Sequence, residues 1–137
     1  MRLALVLTLA GAMLIAPAAH AEWISIFVHP GAARAVLLHP AIFRYLHTEL
    51  PERQPFLISD QNLLTNEADL DLPFKALIVR AGDKRLRDAF RFTGAEREEP
   101  DKLVVMFTYR PEGITGRVTL RQDKRVWHVL DHHLVEH

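Results

Sequence analysis

The sequence predicts an α+β fold: an N-terminal helix or helices packed on one face of an antiparallel β-sheet, whose strands meander through the C-terminal half. Three observations predict it. Apolar residues recur at near-helical spacing after Pro40, through Ile42, Tyr45, Leu46 and Leu50. Residues 103–109 and 117–121 alternate inward apolar with outward positions at the period of a strand. Helical signals come first and strand signals last, with no repeat and no linker between them, which argues for one domain over residues 22–137.

Residues 1–21 stand apart from that domain. Arg2 supplies a positive start, residues 3–15 are almost wholly apolar, Pro17 breaks the run, and Ala19-His20-Ala21 offers small residues where a signal peptidase reads them. The apolar run is shorter than the roughly 20 residues a membrane-spanning helix needs. The expectation is a signal peptide cleaved after Ala21, with the mature chain periplasmic or secreted, and no membrane span after cleavage.

Within the mature chain, residues 23–28 are β-rich and read as a strand bounded by His29-Pro30-Gly31. A short helix over residues 32–38 is interrupted by Pro40, which then suits the first position of a second helix running to Pro51. Residues 51–73, rich in Pro, Asp, Asn and Gln, read as an irregular connection with one helical turn. Residues 74–80 read as a buried strand. Residues 83–90 fit either a short helix capped by Asp83 or a strand joining Leu86, Phe90 and Phe92. Residues 94–101 are charged and turn-like. Leu103, Val105, Phe107 and Tyr109 share one face of the clearest strand, Arg110 to Gly113 turn the chain, and residues 117–121 and 125–130 form a hairpin about Gln122-Asp123-Lys124. The pattern of the last third (a glycine, an alternating strand, a turn, an aromatic strand closing on histidines) resembles the cone-shaped sheets of NTF2-like domains, without a diagnostic residue.

Composition narrows the function classes. The 17 basic and 17 acidic residues balance, and loss of Arg2 with the leader gives a formal charge of −1, so nothing electrostatic favours nucleic acid. The chain has no cysteine. Disulfides, thiolate metal sites, a cysteine nucleophile and lipoprotein anchoring are therefore excluded.

Few motifs carry chemistry. The C-terminus holds four of the eight histidines, His128, His132, His133 and His137, beside Asp131 and Glu136. Imidazole ligates zinc, copper and nickel, so this tail is a candidate metal site, although a solvated, frayed terminus explains it as well. His29-Pro30 and His39-Pro40 place polar residues where helix caps belong. Ser59-Asp60 lacks the context of a catalytic serine. Glu67, Asp69 and Asp71 lack the glycine and distal glutamate of a calcium loop, and Glu96, Glu98 and Glu99 read as charged surface. Lys84, Arg85 and Arg87, with Arg91 and Arg97, read as a solvated face balanced by acidic neighbours. Trp127 and Tyr109 read as core or cleft aromatics, and Phe43 as a contact residue if exposed.

No catalytic, cofactor-binding or metal residue is assigned, and no cofactor is implied. The expected function is a non-enzymatic binding or interaction module of the cell envelope or extracellular space. Its partner would be a small apolar or amphipathic ligand between helix and sheet, or an envelope or extracellular protein. The alternatives are a small hydrolase using a histidine with a carboxylate such as Asp131, and a metal-binding protein using the histidine-rich tail.

Overall fold

A computed structural model of the chain describes residues 27–137. The leader and most of the strand expected over residues 23–28 lie outside the described residues. The described chain is a six-stranded, mostly antiparallel sheet with three short α-helices. The helices are α1 (Pro30–Leu38), α2 (Pro40–Leu46) and α3 (Glu67–Leu70). The strands are β1 (Phe56–Ser59), β2 (Ala76–Val79), β3 (Phe90–Glu99), β4 (Lys102–Tyr109), β5 (Ile114–Asp123) and β6 (Val126–Glu136). Their order across the sheet is β2-β1-β3-β4-β5-β6. β1 is parallel to both its neighbours, and the other pairings are antiparallel. Among the described residues no helix is long and apolar enough to cross a membrane.

Both leading helices begin with His-Pro. His29 Nδ1 accepts the Gly31 N–H at 2.9 Å and His39 Nδ1 accepts the Ala41 N–H at 3.2 Å. Each imidazole thus caps a helix whose first residue is proline, which lacks only an N–H that the first turn leaves unused. α2 is shorter than its apolar spacing suggests. It ends at His47, whose φ of 51° is left-handed, and Glu49 and Leu50 fall outside it.

Two further expectations are corrected. The stretch over 51–73 is not merely irregular: its apolar island Phe56-Leu57-Ile58 is β1, in parallel register with Ala76, Leu77 and Ile78. Residues 94–99 are not a turn but the outer half of β3, paired to Lys102–Met106 beyond a bulge at Thr93. The 83–90 ambiguity resolves into a 3-10 turn over Lys84–Asp88, capped by Asp83, followed by the start of β3.

One buried cluster joins Ala33, Val36 and Leu37 of α1 and Ile42 and Leu46 of α2 to Phe56, Phe90, Phe92, Phe107, Tyr109 and Val118 of the sheet. Phe90 is its aromatic centre, stacked on Phe107 at 4.8 Å and edge-on to Phe92 at 5.2 Å. Gly116 makes room for this packing, because a Cβ there would meet the Phe107 ring at 2.4 Å. Phe43 is half-buried and stacks on Phe74 at 5.8 Å, so it is not a free contact residue.

β5 and β6 turn through Lys124 and Arg125, with φ of 50° and 70°. Two successive left-handed residues are the geometry of a type I′ hairpin, which favours Asn-Gly and here falls on two long side chains. β6 then stays paired to β5 as far as Glu136, with a bulge at Leu130, and the His137 N–H bonds the Gly113 carbonyl at 2.7 Å. The terminus is therefore held in the sheet rather than frayed.

Candidate anion-binding site

One end of the sheet gathers four chain segments: the 3-10 turn Lys84–Asp88, the start of β3, the end of β4 with the turn Arg110–Glu112, and the junction of β5 with the terminus. They enclose a cavity of about 350 Å³ lined by Arg87, Ala89, Arg91, Thr108, Arg110, Gly113, Ile114 and His137.

Local structure explains how each group arrives. Asp83 caps the 3-10 turn and takes Arg85 in a two-point contact, Nε at 3.1 Å and Nη2 at 2.9 Å. That contact and the Arg85 N–H hold the Asp83 carboxyl down at about 2. Asp83 is thereby engaged, and Arg87, two residues on, lines the cavity. Phe90 and Phe92 face the core, so the strand period sends Arg91 to the opposite face, across from Thr108. Arg110 follows β4 directly and opens the turn that Gly113 closes at φ 64°. Ala89 and Ile114, both buried, supply an apolar floor.

Among the described residues, Arg87, Arg91 and Arg110 make no ion pair and no side-chain hydrogen bond, whereas Arg53, Arg85, Lys102 and Arg121 each pair with a carboxylate. No acidic side chain lines the cavity. Three permanently charged guanidiniums around one cavity repel one another and offer a fork of donors each. The arrangement can hold an anion.

On the other side of the Arg110–Glu112 turn the charges are matched. Glu112 accepts Arg53 Nη2 through Oε2 and lies 3.3 Å from His47 Nε2 through Oε1. Arg53 also donates to the Tyr109 hydroxyl at 3.1 Å and to the Leu46 carboxyl-end carbonyl of α2 at 3.4 Å. The hydrogen bond from Arg53 holds the Glu112 carboxyl below its ordinary range, and burial raises the Tyr109 phenol. A second cavity of about 490 Å³ opens beside this network, lined by Arg53, Arg85, Asp88 and Tyr109 among others. His47 and Glu112 form the histidine–carboxylate pair that a hydrolase would need. However, the second ring nitrogen of His47 faces Glu49 at 3.6 Å rather than a nucleophile.

The sequence candidates are dispersed. His132 packs on His39 with ring centroids 4.8 Å apart. His133 pairs in register with Arg117, His128 with Arg121 and Asp131 with Thr119. His137 Nε2 lies 3.0 Å from the Thr115 hydroxyl. Among the described residues no three histidine, aspartate or glutamate side chains gather to hold an ion. Ser59 is buried and accepts the Gln61 N–H. Glu67 accepts the Ile78 N–H, Asp71 ends α3, and Glu98 and Glu99 pair with Lys102. Trp127 and Tyr109 are core residues. The basic run is corrected in part: Arg85 is paired, but Arg87 and Arg91 line the cavity rather than a balanced face. Arg110 was not singled out by the sequence. Its only signal is an arginine immediately after an alternating strand.

The chain matches no protein family model, no curated protein and no solved structure.

Proposed function

We propose that this chain is a non-enzymatic binding module of the cell envelope or extracellular space, and that it takes an anionic ligand in the cavity lined by Arg87, Arg91 and Arg110. One observation carries the reading: three guanidiniums share a cavity with no acidic side chain in its lining and no ion-pair partner among the described residues. Folding gains nothing from clustering unpaired like charges, so the cluster favours a role in binding. On this reading α1 and α2 form a supporting layer over one face of a curved sheet, and the ligand enters at the sheet's end. The export leader motivates the envelope assignment.

Two measurements test it. Full-length chain expressed with its own leader should be recovered from periplasm or medium as a polypeptide starting at Glu22, and recovery of the intact chain from cytosol removes the envelope assignment. Isothermal titration with sulfate and with citrate should show saturable binding to at least one. Absence of binding to both, at low ionic strength, contradicts the anion reading.

A further inference from the structure

We infer that the anion is a phosphoryl group carried on an organic body, an inference that rests on the anion-binding reading above. Charge and donor count carry the first part. A carboxylate brings one negative charge and two oxygens, which a single guanidinium satisfies bidentately. Two of the three arginines would then remain unmatched. A phosphate monoester brings a charge of about −1.5 to −2 at pH 7 and three terminal oxygens, so each of Arg87, Arg91 and Arg110 has an oxygen to meet. No aspartate or glutamate side chain lines the cavity. The cations are all arginine, whose planar fork suits tetrahedral oxyanions, and none is lysine.

Volume and floor carry the second part. A cavity of about 350 Å³ holds roughly ten waters at about 30 Å³ each, more than a bare oxyanion displaces. The exposed lining of the cavity is more apolar than polar, so the remaining space suits the ester's organic part.

The test is isothermal titration of the leader-processed full chain at pH 7.5 with three probes: phenyl phosphate, benzoate and inorganic phosphate. Phenyl phosphate should bind about tenfold or more tightly than benzoate, the equivalent of one charge-assisted hydrogen bond. It should also bind more tightly than inorganic phosphate. R87A and R110A should each weaken phenyl phosphate binding by about tenfold with an unchanged circular dichroism spectrum, and R91K, which keeps charge but loses the fork, should weaken it by less. Sedimentation with phosphatidic acid vesicles but not phosphatidylcholine vesicles would assign the phosphoryl group to a lipid headgroup. Phenyl phosphate binding without sedimentation would assign it to a soluble ester. Equal affinity for benzoate and phenyl phosphate overturns the phosphoryl assignment and leaves the anion reading standing. Equal affinity for inorganic phosphate and phenyl phosphate overturns the organic body alone. No binding by any probe overturns both inferences.

Discussion

On one side of the Arg110–Glu112 turn, Glu112 is held by Arg53 and His47, and Arg53 in turn by Tyr109 and the end of α2. On the other side, Arg87, Arg91 and Arg110 line a cavity with no aspartate or glutamate side chain in its lining. The two regions share the end of β4 and the floor beneath it, yet one has its charges matched and the other does not. Matched charges tie segments together: this network links α2, the 3-10 turn Pro51–Arg53 and the end of β4. Unmatched charges do nothing for folding, which makes them the better indicator of a ligand.

Substitutions can break or sharpen this contrast. The largest effect belongs to the core beneath both regions. Phe90→Ala removes the ring that stacks on Phe107 and contacts Phe56, Phe92 and Tyr109, and should destabilise by about 3–5 kcal/mol in chemical denaturation. Binding and folding should then fail together.

Next comes the matched side. Glu112→Ala leaves Arg53, about one-fifth exposed, without its carboxylate, and should lower stability by about 1–3 kcal/mol. Its pH dependence has a definite sign. The folded-state value of Glu112 lies below the ordinary 4.5, so its stabilisation is present above that value and is lost as pH falls through the depressed one. The wild type should show this acid loss, and Glu112→Ala should lack that component.

The capping histidine His39 acts in a different window. Burial, and then the neighbouring His132, lower His39 below 6.5. Its neutral ring, with Nδ1 accepting the Ala41 N–H, is the form the fold uses. The associated stability is therefore present above pH 6.5 and lost as pH falls through the lowered value. His39→Asn keeps a capping side chain without the titration. It should flatten the stability profile below pH 6.5 in thermal melts. An unchanged profile would show that His39 is not what titrates.

Lys124→Asn with Arg125→Gly supplies the residues a type I′ turn favours, and should raise stability by about 1 kcal/mol without touching either region. The smallest effect is expected on the unmatched side. Replacing Arg87, Arg91 and Arg110 together with alanine should change stability by no more than about 0.5 kcal/mol, or raise it slightly by relieving repulsion. A large loss there would mean that these arginines are structural after all.

Much of the sheet was legible in the sequence because β4 and β5 have one buried face and alternate at period two, as Leu103, Val105, Phe107 and Tyr109 show. β1 was not legible. Four residues after a proline carry too little pattern, and its parallel pairing to β2 and β3 is set by tertiary contacts rather than local preference. The outer half of β3 is not legible because Arg97, Glu98 and Glu99 are exposed, so no apolar alternation marks them. α2 looked longer because Glu49 and Leu50 keep the spacing, while its actual end depends on left-handed His47 and on Arg53 reaching the Leu46 carbonyl. The candidate site was half legible. Arg87 and Arg91 belong to a basic run whose acidic neighbours in sequence balance it formally. In space Asp83 belongs to Arg85, and Arg110 arrives from a strand end some twenty residues further along.

The most direct test of the central claim is the melting temperature of wild type and of the R87A/R91A/R110A variant, titrated with phenyl phosphate at low ionic strength. A ligand that binds only the folded state raises the melting temperature with its concentration. The account predicts a concentration-dependent rise in the wild type and none in the variant. An equal rise in both, or no rise in either, would contradict it.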